Sequence, residues 1–242
     1  MSGQIVSNIA HIQEEIARQC QVSSRPPNAV MLLAVSKTVN AQGVLHAASA
    51  GQRGFGENYV QEGVEKILDL RELAPDMAAQ LQWHLIGPLQ INKTRVVAEH
   101  FDWVHTVDRL KIAPRLSEQR PSHLPPLQVL IQVNVDGAAS KAGVAPADVL
   151  ALALAVQALP QLQLRGLMSM PDAQAEPART QALHQQVHDL LLQINAHPVF
   201  AAQPLDVLSM GMSGDMAEAI AAGSTMLRIG TAIFGQRQYA AA

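Results

Sequence analysis

Eight short apolar runs, most of them separated by helical patterns, constrain this chain more than any other feature. They lie near residues 30–36, 53–56, 82–86, 103–106, 127–134, 163–168, 205–209 and 226–230. The first, Met31-Leu32-Leu33-Ala34-Val35, is apolar at every position, the pattern of a strand buried on both faces. Val60, Val64 and Ile67 follow the second run at helical spacing, and Val149, Leu152, Val156 and Leu159 follow the fifth. Leu183, Val187, Leu190, Leu191 and Ile194 follow the sixth. Strands that alternate with helices form a parallel sheet. Eight such units in 242 residues match an α/β fold, a single TIM-type (β/α)8 barrel over residues 1–242. Ile5, Ile9, Ile12 and Ile16 add an extra amphipathic helix at the N-terminus. A doubly wound open sheet is the alternative. The helices after the fourth and eighth strands are the faintest, and Pro114, Pro121, Pro125 and Pro126 interrupt the stretch before the fifth.

Apolar residues make up 48% of the chain, enough for a large core, and aromatics only 3%, so that core is aliphatic. A net charge of −3 without a basic block gives no footing for nucleic acid. Cys20, the only cysteine, excludes an intrachain disulfide and a multi-cysteine metal site. The longest apolar stretch, Val149 to Leu159, is too short to span a bilayer, and the N-terminus lacks the pattern of a leader. A soluble, cytoplasmic protein without membrane contact is expected.

In a barrel of this kind chemistry sits at the C-terminal ends of the strands. Those ends read Ser36-Lys37, Gly56-Glu57-Asn58, Gly87, Thr106-Val107-Asp108, Asn134-Val135-Asp136, Ser169-Met170-Pro171, Ser209 to Gly214, and Arg228-Ile229-Gly230-Thr231. Lys37 thus falls on a rim of polar and glycine residues, where a lysine amine can attack a carbonyl, rather than merely lying on the surface. Gly211, Ser213 and Gly214 open a helix, with Asp215 and Glu218 at capping-box spacing. Together with Gly230 and Thr231 they match the phosphate site that barrels build after strands seven and eight. His184 and His188 stand one helical turn apart and could clamp a metal, but they lack the Glu of a zinc-protease motif and flank the apolar stripe, so they read as solvated surface, and no metal site is expected. His84 faces the barrel interior either near the site or as a satisfied core histidine; the sequence leaves both open. Met168, Met170, Met210 and Met212 fit a soft wall around a planar ring or ordinary core filling. Lys141 is a second rim amine, read as a loop lysine.

A strand-end lysine opposite a phosphate site suggests pyridoxal 5′-phosphate. "AVSKTV", "GFGENYVQE", "WHLIGPLQINK", "SKAGV", "LRGLMSMP", "LSMGMSGDM" and "RIGTAIFG" resemble the pyridoxal phosphate homeostasis protein family, in order, from about residue 30 to 237. That family is similar to the N-terminal barrel domain of alanine racemases. The resemblance implies Lys37 as the Schiff-base lysine, Ser213, Gly230 and Thr231 around the phosphate, and Arg228 facing the pyridine nitrogen. Asn58, His84 and Met210 follow as ring neighbours. The chain departs from racemases where they carry a histidine after strand six: here it reads Met168-Ser169-Met170. It ends at Ala242 without a second β domain, and its only tyrosines, Tyr59 and Tyr239, lie in other contexts. The resemblance therefore implies a non-catalytic, monomeric binder of pyridoxal phosphate that stores, buffers or delivers it to dependent apo-enzymes. A pyridoxal-dependent racemase or decarboxylase is the alternative, and a Schiff-base aldolase acting through Lys37 a third reading.

Overall fold

Eight parallel strands close into a barrel in chain order, each hydrogen-bonded to its sequence neighbours and the last to the first. They are β1 (Met31–Val35), β2 (Gly54–Glu57), β3 (Gln82–Leu85), β4 (Trp103–Val107), β5 (Leu127–Val133), β6 (Leu162–Ser169), β7 (Val207–Ser209) and β8 (Met226–Ile229). The computed structural model describes residues 2–138, 141–172 and 176–235. Closure settles the choice between barrel and open sheet in favour of the barrel. Side chains alternate along each strand, so each strand serves two cores. Leu33, Trp103, Leu130, Met168, Val207 and Met226 meet inside the barrel, while the larger cluster lies between strands and helices.

The helices between strands are α2 (Ala41–Ser49), α3 (Val60–Leu73) with the short α4 (Pro75–Ala78), α5 (Thr94–His100), α6 (Ala113–Gln119), α7 (Val149–Gln157), α8 (Pro177–Asn195) and α9 (Met216–Ala221). α10 (Thr231–Phe234) follows β8. The sequence signal after strands four and eight is faint because α6 and α10 are short. Pro114 starts α6 rather than breaking it, since a first-turn proline lacks only an N–H with no helical partner. The four-residue α10 leaves a flank uncovered, and α1 (Ser2–Val22) covers it. Ile5, Ile9, Ile12 and Ile16 are buried where α1 packs on α2, α9 and α10, and Asn8 Nδ2 donates to Ile233 O at 2.8 Å. Among the described residues, no helix is long and apolar enough to cross a membrane.

One irregularity has a measurable consequence. The β5–β6 register shifts between Val129 and Leu130, opposite Leu164 and Gly166, and Gly166 then pairs with Val207 of β7. A Cβ on Gly166 would stand 1.8 Å from Val207 O, and the glycine holds φ at +157°. Backbone cannot yield as a flexible side chain can, so Gly166→Ala must prise β6 from β7. The expected cost is about 3 kcal/mol or more, read as a lower urea midpoint. A midpoint within error of the unmodified protein's would show that the strands separate freely.

Candidate functional site

β8 presents the most constrained charge at the C-terminal rim. Arg228 is buried, with Nη1 donating to Ser209 O at 2.6 Å and to Ser209 Oγ at 2.9 Å. Its Nη2 donates to Ser169 O at 2.9 Å, so one guanidinium ties together the ends of β6, β7 and β8. Burial lowers its pKa to about 10, which still leaves it charged at neutral pH. No carboxylate forms an ion pair with it among the described residues. A buried cation without a paired anion is costly, which makes this rim receptive to anions.

A column of polar side chains stands behind Arg228 inside the barrel. Ser209 Oγ lies 3.1 Å from His105 Nδ1, and His105 Nε2 lies 3.0 Å from His84 Nδ1. Arginine only donates, so Ser209 Oγ accepts from Arg228 and can pass its own proton toward His105. His84 stacks on Trp103 with ring centroids 5.1 Å apart. Burial pushes His84 down to about 3, and burial with the nearby His84 and Arg228 holds His105 well below the usual range. Both imidazoles are therefore neutral at physiological pH. His84 is thus an interior histidine two hydrogen bonds removed from the serine that seats Arg228, and its Nε2 is buried without a partner among the described residues. His105 and Ser209 were not singled out from sequence. In Trp103-Val104-His105, alternation that puts Trp103 inside also puts His105 there, and that was the available signal.

The glycine-rich turn after β7 leads to α9. Gly211 holds φ at +89°, and a Cβ there would meet Ala219 Cβ at 2.5 Å and Leu227 Cδ2 at 2.6 Å, so only glycine lets the turn lie this close. Ser213 and Gly214 are exposed beyond it, with Gly230 half-buried and Thr231 exposed after β8. The capping box is not formed: Asp215 stands at the N-cap of α9 but makes no side-chain cap bond. Its Oδ1 instead accepts from Met212 N at 2.6 Å, and its Oδ2 lies 2.9 Å from His184 Nε2. Burial raises the Asp215 pKa, but the His184 and Met212 hydrogen bonds outweigh it and leave the carboxyl below its ordinary value. His184 is accordingly not a solvated residue. It is fully buried on the Thr180–His184–Val187–Leu191–Ile194 face of α8, where its bond to Asp215 tethers the turn; His188 is half-buried.

Lys37 lies two residues past β1 and is half-buried. β1 pairs with β8 on one side and β2 on the other, so Lys37 and the Arg228–Thr231 segment occupy neighbouring strand ends. Gly230 meets β1 closely, since a Cβ there would stand 3.1 Å from Val35 O. Asn58 follows β2 half-buried, and its carbonyl fills the space a Cβ on Gly87 would need. The four methionines do not make one wall. Met168 belongs to the barrel interior and Met210 to the outer core, Met212 is half-buried, and Met170 is exposed. Lys141 reaches Asp136 Oδ2 at 2.5 Å at the far side of the rim.

Behind Lys37 lies a charged cluster that sequence reasoning missed. Lys66 on α3 is buried with Glu57, and its Nζ reaches Glu57 Oε1 at 2.6 Å and Glu62 Oε1 at 3.1 Å. Burial pushes the Glu57 pKa up, against the opposing charge and hydrogen bond of Lys66. The signal was Lys66 standing on the buried stripe of α3, with Gly63, Ile67 and Leu70.

A family model described as the alanine racemase N-terminal domain matches residues 7–238. The chain is 55% identical to the pyridoxal phosphate homeostasis protein of Vibrio cholerae, over 97% of each chain. It is 50% identical to the protein of that name from Escherichia coli, again over 97% of each. Among solved structures it is similar to PipY of Synechococcus elongatus with pyridoxal phosphate bound, at TM-score 0.78 and 36% identity, covering 96% of this chain and all of that one.

Proposed function

Since the chain belongs to the alanine racemase N-terminal domain family and, within it, to the pyridoxal phosphate homeostasis proteins, we propose that it binds pyridoxal 5′-phosphate without turning it over. Its role is then to store, buffer or deliver the cofactor to apo-enzymes, as a cytoplasmic monomer. The observation that carries this reading is Arg228, a buried guanidinium without a paired carboxylate among the described residues, beside two donor-rich turns and a strand-end amine. The residues fit the ligand. Ser213, Gly230 and Thr231 would supply hydroxyls and main-chain N–H groups for a phosphate, and Ser169 Oγ is buried at the same rim without a partner among the described residues.

Bound pyridoxal phosphate supplies an aldehyde and an electron-withdrawing ring. Lys37 would hold the aldehyde end through its amine, and the turns after β7 and β8 would hold the phosphate end. Arg228 would face the ring nitrogen and leave it unprotonated, because a guanidinium that stays charged donates a hydrogen bond and no proton. Asn58 would border the ring, and His84 supports Arg228 from beneath through His105 and Ser209, whereas Met210 packs in the outer core instead. Turnover needs a base on each face of the substrate, or one base and a strong electron sink. Lys37 is one base; β6 ends on Ser169, whose hydroxyl is no base at neutral pH, and Arg228 weakens the sink.

The test is α-proton exchange. The purified protein loaded with pyridoxal phosphate is expected to bind it one to one and to leave amino acids unexchanged in deuterated water. Rapid exchange that disappears in Lys37→Ala would make the protein a racemase or decarboxylase instead.

A further inference from the structure

The Lys37 backbone is gripped on both sides by charges that come from behind the strand. Lys66 Nζ donates to Ser36 O at 2.8 Å, besides Glu57 and Glu62, so all three ammonium protons are committed. Ser36 Oγ donates to Glu57 Oε1 at 2.6 Å. On the other side Thr38 N donates to Glu62 Oε1 at 2.5 Å, and Thr38 holds φ at +66°. A β-branched residue rarely adopts that conformation unless its surroundings impose it. The residues before and after the amine are thus fixed by one set of three charged side chains.

Gly63 lets these groups reach. A Cβ there would stand 2.7 Å from Phe101 Cζ and 3.3 Å from Glu57 Cβ, so the glycine seats α3 against β2 and brings Glu62 and Lys66 beneath the end of β1. Bulk stability does not require the arrangement, because a buried ion pair can generally be replaced by packed apolar side chains. Glu57 Oε2, moreover, is buried without a partner among the described residues. What the charges do provide is direction: each bond ends on Ser36, Thr38 or another member of the set. Strain at Thr38 is the mark of a backbone held in one orientation for a side chain next to it.

We propose that Glu62, Lys66 and Glu57 form a clamp that aims the Lys37 amine into the barrel mouth, which makes them positioning residues for the attachment of aldehyde ligands. The clamp rests on the reading of Lys37 as the attachment point, and the experiment separates the two. Glu62 is the partly exposed member, so its replacement spares the buried pair. Glu62→Ala removes the acceptor for Thr38 N, whereas Glu62→Gln restores a neutral one. Pyridoxal 5′-phosphate with borohydride reads the rate of attachment at Lys37. Pyridoxamine 5′-phosphate, which has no aldehyde, reads the pocket alone. In Glu62→Ala the attachment rate is expected to fall roughly tenfold or more, the scale set by misplacing a reacting group by a fraction of an ångström to an ångström. Glu62→Gln should recover most of it, and pyridoxamine phosphate affinity should stay unchanged in both variants.

Equal attachment rates in all three proteins would overturn the clamp. So would a loss of pyridoxamine phosphate binding in step with the loss of attachment, because the residues would then be shaping the whole pocket. If the unmodified protein bound pyridoxamine phosphate but carried its adduct elsewhere than Lys37, the functional reading would fail first and take the clamp with it.

Discussion

Lys37→Ala is expected to eliminate the borohydride-stable pyridoxyl adduct while leaving non-covalent binding of pyridoxamine phosphate measurable. The two halves of the proposed pocket come from different strands, so removing the amine leaves in place the turns after β7 and β8 proposed to hold the phosphate. Each hydroxyl that bonds a phosphate oxygen is worth about 1.5–3 kcal/mol, enough for residual affinity. Other rim lysines are poor substitutes. Lys141 Nζ sits against Asp136 Oδ2 at 2.5 Å on the far side of the rim, so that ion pair would have to break before the amine could attack. Lys93 Nζ is engaged by Gln61 Oε1 at 2.8 Å on the outer face of α3 and α5. Peptide mapping of the reduced protein decides the matter: an adduct of undiminished yield in Lys37→Ala, on either of these lysines, would falsify the assignment.

Acid should weaken the barrel through its interior histidines. Burial lowers the His84 pKa to about 3 in the folded protein, against an ordinary 6.5 for the free side chain. Between those values the unfolded chain binds the extra proton, so stability is full above pH 6.5 and falls as pH drops toward the folded value. The gap corresponds to roughly 5 kcal/mol in all, of which about 2 kcal/mol is lost by pH 5. His105 is shifted in the same direction by the same burial, so it adds to the slope. Urea midpoints at pH 7 and pH 5 should therefore diverge sharply in the unmodified protein. They should lie closer together in a His84→Leu, His105→Leu double variant. Midpoints equally pH-dependent in both proteins would remove the histidine column as the cause.

Much of this architecture could be read before any coordinates, because a parallel barrel writes itself as apolar runs at regular intervals. The strand ends follow from the runs, and polar residues at those ends stand out against an aliphatic chain. What resisted reading was every polar residue inside a helix stripe. His184 shares its face with Val187, Leu191 and Ile194, and Lys66 shares its face with Ile67 and Leu70. Their spacing says buried while their chemistry says exposed, and the deciding partners are set by tertiary contact. Asp215 for His184 comes from the turn before another helix, and the Ser36 carbonyl for Lys66 comes from another strand end. The capping box failed for the same reason, since a buried histidine competes successfully for the Asp215 carboxylate.

The seam between β1 and β8 bears on how the protein is made. Met31 to Ala34 pair with Met226 to Ile229, so the first strand waits for the last. A ribosome releases Lys37 well before Arg228, Gly230 and Thr231, and domains generally fold as units. A truncated or stalled nascent chain can carry the amine but cannot build the anion-receptive rim beside it. The amine-bearing strand and the rim beside it therefore come together only when residues 226–229 have emerged and the barrel closes.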